Sequence, residues 1–425
     1  MKEIIKKPKI AILTLHPYNY GGILSSLKVV YDFCSKYFEP TVFFLSFDKE
    51  ISAYLKGFKF TSKSRFKDYF GMNCVEIGAR FSFWEPGHYS FTAKDWKKCL
   101  SEFDYFFVTS GTAIPAHPLV FLNKKFVMWV ATTYEEDKKN RIQELSYLRF
   151  LLDRLGAVFV RKIEKIILRR ANLTWALSSY AKKSFQEELG VVAPSLSQCG
   201  YPMEMKANFA LTNLKSREEN IIAVGRFDDP RKNLGMLIRV FNKLSESKDN
   251  INLYIVGPKP SDDRIKRFLG GKTPKNIIFT GLISNEKLDD LYKRSSLMLI
   301  TSYQEGLGII GLEAMSYGVP IIATDCGGTR DYIVNGKSGW LVPIDDDEQM
   351  FNKAYNLLRD NKLAEEFSIF SHNFIRNNFS YEKIYSTFRE GLSKVYPELK
   401  DYFGLYNLEE TNLKFNKDSY EDSNN

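Results

Sequence analysis

Short apolar runs rich in β-branched residues alternate along the chain with longer amphipathic stretches, and the alternation runs twice. That pattern restricts the fold more than any other feature, because strands separated by helical crossovers pair in parallel. In the first half the strand candidates are Ile10–Leu15, Thr41–Ser46, Tyr105–Thr109, Phe126–Val130 and Leu173–Leu177. In the second half they are Asn220–Val224, Asn252–Val256, Asn276–Thr280, Leu297–Thr301 and Val319–Ala323. Between them Gln198–Glu219 follows neither period, so the boundary falls there. The expectation is an α/β protein of two Rossmann-like domains, 1–205 and 206–380, whose parallel sheets face each other across a ligand-binding cleft. After Val342 the chain reads as consecutive helices. Tyr381–Tyr396 is the last of them, and 407–425 is a polar tail.

Composition narrows the function classes. The chain has 425 residues, 44% hydrophobic and 26% charged, which disfavours collagen-like, disordered and coiled-coil classes. A net charge of +9 suits a phosphate-bearing ligand or an anionic surface and is too diffuse to demand nucleic acid. Cys34, Cys74, Cys99, Cys199 and Cys326 are scattered with no C-x-x-C pair, so neither a disulfide framework nor a metal site is expected. No signal peptide is read at the start, and no run of 18 apolar residues occurs. A cytoplasmic setting is the expectation.

The richest stretch for chemistry runs from Ser302 through Glu305, Gly306, Leu307, Gly308, Ile309 and Gly311 to Glu313, after a strand and into a helix. A glycine-rich strand-to-helix turn presents backbone N–H groups at a helix N-terminus, which seats a phosphate. Read literally, Gly306, Gly308 and Gly311 spell G-x-G-x-x-G, so an NAD(P)-dependent dehydrogenase is one alternative. Against it, the glycines begin several residues beyond the strand, and Asp325 follows Gly311 by only 14 residues. Glu305 sits within the turn, where a carboxylate beside a pyrophosphate needs neutral partners. Sugar hydroxyls are the obvious ones, and Glu313 is placed to do the same for a ribose. A second cluster, Gly225-Arg226-Phe227-Asp228-Asp229-Pro230-Arg231-Lys232-Asn233, leaves the first strand of the same half, with Arg226 and Lys232 able to converge on one phosphate.

These two clusters resemble the large family of retaining glycosyltransferases with the GT-B fold, the family-4-like group that includes bacterial phosphatidylinositol mannosyltransferase. Glu305 to Glu313 matches its Glu-x7-Glu element, and Arg226 with Lys232 its paired cations. Val256-Gly257, Phe279-Thr280-Gly281-Leu282-Ile283, Gly318-Val319-Pro320, Gly327-Gly328 and Asn335-Gly336-Lys337-Ser338-Gly339 continue the likeness over Asn220 to Val342. The resemblance implies that Glu305 holds the sugar hydroxyls and Glu313 the ribose. The N–H groups of Leu307, Gly308 and Ile309 meet sugar and diphosphate, and the main chain near Ile283 meets the base. Gly21 and Gly22 look like the family's glycine loop from the opposite domain, and the helix at about 381–400 is expected to pack back on the first domain. Where the family usually has a His after a central strand, this chain reads Val108-Thr109-Ser110-Gly111-Thr112. His117 is the nearest histidine and the candidate sugar contact, against the commoner structural role of a lone His. His16, His88 and His372 have no supporting context.

The implied activity is metal-independent, retaining transfer of a hexose from a UDP- or GDP-linked sugar, with no cofactor, to a lipid-linked saccharide or other glycan precursor. A non-catalytic sugar-nucleotide-binding protein is a further alternative. Two segments bear on the acceptor. Lys56–Phe70 interleaves five basic residues and one acid with aromatics, an interfacial composition that fits peripheral contact with anionic membrane. Arg154–Arg170 carries Leu155, Val158, Phe159, Ile163, Ile166 and Ile167 at helical spacing, which is read as a core-packing stripe. Asp345-Asp346-Asp347 is read as a helix N-cap.

Overall fold

A computed structural model describes residues 6–17, 22–46, 48, 50–51, 63–79, 93–139, 147–188, 190, 195–205, 220–270 and 273–406. The first lobe contains β1 (Lys9–Leu13), α1 (Gly22–Tyr37), β2 (Glu39–Ser46), β3 (Ser64–Tyr69), β4 (Met72–Gly78), α2 (Ala93–Leu100) and β5 (Tyr105–Ser110). It continues with α3 (His117–Phe121), β6 (Val127–Val130), α4 (Tyr134–Lys139), α5 (Tyr147–Arg170), β7 (Leu173–Ala176), α6 (Ser179–Glu188) and β8 (Leu196–Gln198). Its sheet runs β3-β4-β2-β1-β5-β6-β7-β8, parallel except for β3 against β4. The second lobe is wholly parallel, in the order β11-β10-β9-β12-β13-β14. Those strands are β9 (Asn220–Val224), β10 (Asn252–Val256), β11 (Ile277–Gly281), β12 (Ser295–Ile300), β13 (Ile321–Thr324) and β14 (Gly339–Val342). Between and after them lie α7 (Leu234–Ser247), α8 (Asp262–Leu269), α9 (Asn285–Arg294), α10 (Ile309–Ser316), α11 (Asp347–Arg359), α12 (Asn361–Asn378) and α13 (Tyr381–Val395).

The strands legible in the sequence are those buried on both faces, such as β6 and β13, every residue of which is buried. The four strands outside the sequence reading have other reasons to form. β3 and β8 are polar edge strands. β4 is paired to β3 through a two-residue turn, Phe70-Gly71, both with positive φ (57° and 75°), as a type I′ hairpin requires. β14 is short and docks parallel to β13. Helix starts are capped as their sequences suggest: Asp346 accepts from the Gln349 N–H (2.9 Å) and Ser380 from the Lys383 N–H (3.4 Å).

Of the basic, aromatic segment Lys56–Phe70, residues 56–62 lie outside the described residues and Ser64–Tyr69 form β3, where Arg65 pairs with Asp48 and Glu76 (2.6 Å each) and Lys67 with Glu76 (3.5 Å). One expectation needs correction. The apolar stripe of α5 is only partly core. Ile163 and Ile167 are buried, but Val158, Phe159 and Ile166 face outward, 57%, 58% and 52% exposed.

After α12 the chain returns to the first lobe. The Met203 N–H bonds the Phe379 carbonyl (2.6 Å) where the two crossings meet. Phe388 of α13 is fully buried, its ring centroid 5.3 Å from each of Phe33, Phe107, Trp129 and Trp175. One buried apolar cluster therefore runs from α1 through α13 to β12, β13 and the start of α10. The cysteines are free, and burial pushes the Cys74, Cys199 and Cys326 thiols up to about 12, which leaves them inert.

Candidate active site

In each sheet the strand order reverses at one place, between β1 and β5 in the first lobe and between β9 and β12 in the second. Loops leaving the carboxyl ends of such neighbouring strands diverge and open a crevice. In the second lobe these are the loops carrying the two sequence clusters.

The loop after β9 starts at Gly225, whose N–H bonds the Val256 carbonyl (2.9 Å), and closes in a single 3-10 turn, Pro230–Lys232. Asp229 caps that turn by accepting from the Arg231 N–H (3.1 Å). The Arg231 guanidinium folds back on the same carboxylate through Nε (3.0 Å) and Nη2 (2.7 Å) and reaches Asp137 of the first lobe at 3.2 Å. Burial pulls the Arg231 pKa down, but Asp229, Asp137 and Glu305 outweigh it and hold it above its ordinary value. Sequence reasoning did not single out this brace. Only its immediate neighbour, Lys232, enters the site. Lys232 Nζ lies 2.5 Å from Glu305 Oε1, with the two side chains 19% and 11% exposed. Arg226 is half exposed, its guanidinium 3.9 Å from the Asp229 carboxylate.

The loop after β12 positions Glu305 from both sides. Its N–H bonds the Cys326 carbonyl (2.9 Å), and its carbonyl accepts from the Gly328 N–H (2.9 Å), which ties it to the loop after β13. Ser302 Oγ donates to the same Oε1 that faces Lys232 (2.7 Å). The three glycines of the G-x-G-x-x-G string have separate packing reasons. A Cβ on Gly306 would lie 3.1 Å from the Ala131 carbonyl of the first lobe, Gly308 takes φ 80° to open α10, and a Cβ on Gly311 would lie 2.3 Å from the Tyr332 hydroxyl. They follow the fourth strand of this sheet in chain order, whereas a dinucleotide fingerprint follows the first, so the dehydrogenase reading loses its structural context. Leu307 is buried, while Gly308 and Ile309 are half-buried at the α10 N-terminus. Glu313, on α10, accepts from the Tyr292 hydroxyl (3.3 Å), whose pKa is raised by burial and by the nearby carboxylate. Ile283 sits half-buried in the turn between β11 and α9.

On the first-lobe side, Gly21 lies outside the described residues, and Gly22 opens α1. His117 begins α3 and is half-buried. His16, given no role in the sequence reading, follows the end of β1 at that lobe's crossover point. It is edge-on to Phe44 (5.0 Å) and Tyr69 (6.0 Å), and burial lowers its pKa.

The lobes meet through polar contacts beside the site. Ser178 Oγ donates to the Gly306 carbonyl (2.5 Å). Asp331, from the second lobe, accepts from the Ser179 N–H (2.7 Å), the Ser179 hydroxyl and Gln198 Nε2 (2.9 Å), and so caps α6 of the first lobe. Burial raises the Asp331 pKa, while the Ser179 bonds act the other way.

Two α/β lobes of largely parallel sheet, the second carrying an ion-paired lysine and glutamate beside a helix N-terminus, have the layout of the GT-B fold. Within it, residues 204–373 match the family of glycosyl transferases group 1. The phosphatidyl-myo-inositol mannosyltransferase of Mycolicibacterium smegmatis is 29% identical over 207 residues, 47% of this chain and 50% of that protein. The chain spans about half the length of these curated relatives. By fold it is similar to the sucrose-phosphate synthase of Thermosynechococcus elongatus (TM-score 0.71, 16% identity, 93% of this chain and 100% of that one). It is similar too to HepE of Anabaena in complex with UDP (TM-score 0.66, 15% identity, 91% and 99%).

Proposed function

We propose that the protein transfers a hexose from a nucleoside-diphosphate sugar to a glycan or lipid-linked acceptor, with retention of anomeric configuration and without a metal ion, at the cytoplasmic face of a membrane. The carrying observation is the Lys232–Glu305 pair at the mouth of the α10 N-terminus. A bound donor gives each partner a better-matched group: the diphosphate goes to Lys232 and the backbone N–H groups of Leu307, Gly308 and Ile309, the sugar hydroxyls to Glu305. As the glycosidic bond lengthens, negative charge grows on the leaving phosphate oxygen and positive charge on the sugar. Lys232, with Arg226, stabilises the first, and a fixed donor at a developing oxyanion is worth about 3 kcal/mol. Glu313, held by Tyr292, accepts from the ribose hydroxyls, and the main chain at Ile283 borders the base. The acceptor attacks on the face the phosphate leaves, from the first-lobe side, to which Gly22 and His117 belong. The mannosyltransferase named among the relatives and the UDP bound by HepE support this reading.

Donor hydrolysis tests it. The full chain, incubated with UDP-glucose, GDP-mannose and NAD, should release nucleoside diphosphate from one sugar donor, unaffected by EDTA. Reduction of NAD, or no release from any sugar nucleotide, would overturn the proposal.

A further inference from the structure

The two loops that carry Lys232 and Glu305 are joined by more than their ion pair. Tyr303, two residues before Glu305, donates its N–H to the Arg231 carbonyl (2.7 Å). Thr301 Oγ1 bonds the Lys232 carbonyl (2.9 Å) and lies 3.2 Å from that of Asn233. Asn233 directly follows Lys232, takes φ 48° and caps α7 by accepting from the Met236 N–H (3.2 Å). Its Oδ1 is thus occupied, and the donor end of the same buried amide needs an acceptor.

That acceptor comes from a third loop. Asp345, between β14 and α11, receives Asn233 Nδ2 (2.8 Å) and the Tyr303 hydroxyl (3.2 Å) on a single oxygen, Oδ1. One carboxylate therefore ties the residue after Lys232 to the residue two places before Glu305. The loop is fixed behind it: Asp346 caps α11, and Asp347 holds Arg239 of α7 at 2.5 and 3.0 Å. Asp345 itself has φ 61°, in the left-handed region where glycine is the unstrained choice. It is also exposed, so its side chain fills no core. A strained, exposed acid whose two bonds both lead to the reacting pair is explained better by positioning than by stability. We propose that Asp345 is a positioning residue that sets the separation of Lys232 and Glu305 by clasping their two loops; its effect on turnover rests on the transfer reading above.

Asp345→Gly separates the two explanations, because it removes the acceptor while relaxing the turn. A side chain that served only the turn would leave turnover unchanged on replacement by glycine. The clasp instead predicts that kcat for donor hydrolysis falls about tenfold at nearly constant KM, with the protein still folded by circular-dichroism melts. Asp345→Asn, which keeps Oδ1 and tolerates the same φ, should hold kcat near the wild-type value. In a Lys232→Ala background Asp345→Gly should cost little further, since it acts through that lysine. Asn233→Asp retains the α7 cap but loses the Nδ2 donor, and should match Asp345→Gly. A crystal structure of the Asp345→Gly protein tests the clasp without any donor: Lys232 Nζ and Glu305 Oε1 should stand about 1 Å or more further apart than in wild type, a misplacement large enough to slow chemistry. Wild-type turnover in Asp345→Gly, an equal loss in Asp345→Asn, or an unmoved Lys232–Glu305 pair overturns the proposal. A displaced pair in a protein whose wild type hydrolyses no sugar nucleotide upholds the clasp and sinks the transfer reading instead.

Discussion

Lys232 and Glu305 lie 73 positions apart in the chain and 2.5 Å apart in space. Residue types and spacing sufficed to pick out both, because a cation after one strand and an acid in a glycine turn after another are unusual unless a polar ligand meets them. Their supports were not legible. Ser302, Asp229, Arg231 and Tyr292 are ordinary polar residues until the fold points them at the two carboxylates and the turn. On this geometry Lys232→Ala should lower kcat by about 100-fold, since its charge is matched most fully in the transition state. Glu313→Ala should chiefly raise the donor KM, by about tenfold, through lost bonds to a bound hydroxyl. Initial-rate kinetics over a donor series separates the two. His16 gives a pH test. Burial lowers its folded pKa below the model-peptide value of 6.5, so as pH falls through 6.5 the unfolded chain takes up the proton first and stability is lost. Denaturant titrations of wild type and His16→Gln at pH 7.5 and about 5.5 should show the wild type losing more stability over that interval.

At the scale of elements, the sequence marked strands buried on both faces and missed those whose existence depends on a neighbour: β3 and β4 on their shared turn, β14 on β13. It likewise misread α5, because spacing alone assigns Val158, Phe159 and Ile166 to a helix but not to the side that meets the sheet. The helix α6 illustrates a further dependence. Its N-terminus is capped by Ser178 of its own lobe, which accepts from the Ala181 N–H (3.0 Å), and by Asp331 of the other, next to Gly327-Gly328 and the turn that holds Glu305. Asp331→Ala removes the second cap and the Gln198 bond together. The cleft should then open, with a larger radius of gyration by small-angle X-ray scattering and a donor KM raised about fivefold, while far-ultraviolet circular dichroism stays unchanged.

For the whole molecule, α13 joins what two separate sheets would leave apart. Phe388 contacts aromatic rings from α1, β5, β6 and β7, and the apolar cluster it belongs to continues into the second lobe. Phe388→Ala should cost about 3–5 kcal/mol and lower Tm by roughly 3–6 °C, measured by calorimetry. The amino-acid order by itself determined two βα-alternating halves, a glycine turn opening a helix and the charged residues beside it, since hydrophobic period and local turn chemistry are read within a few residues. Tertiary structure alone decided which lysine faces which glutamate, which side of α5 remains in water and which aspartate crosses between lobes. Those outcomes depend on how loops from distant strands are brought to the same sheet edge, and no local period encodes that.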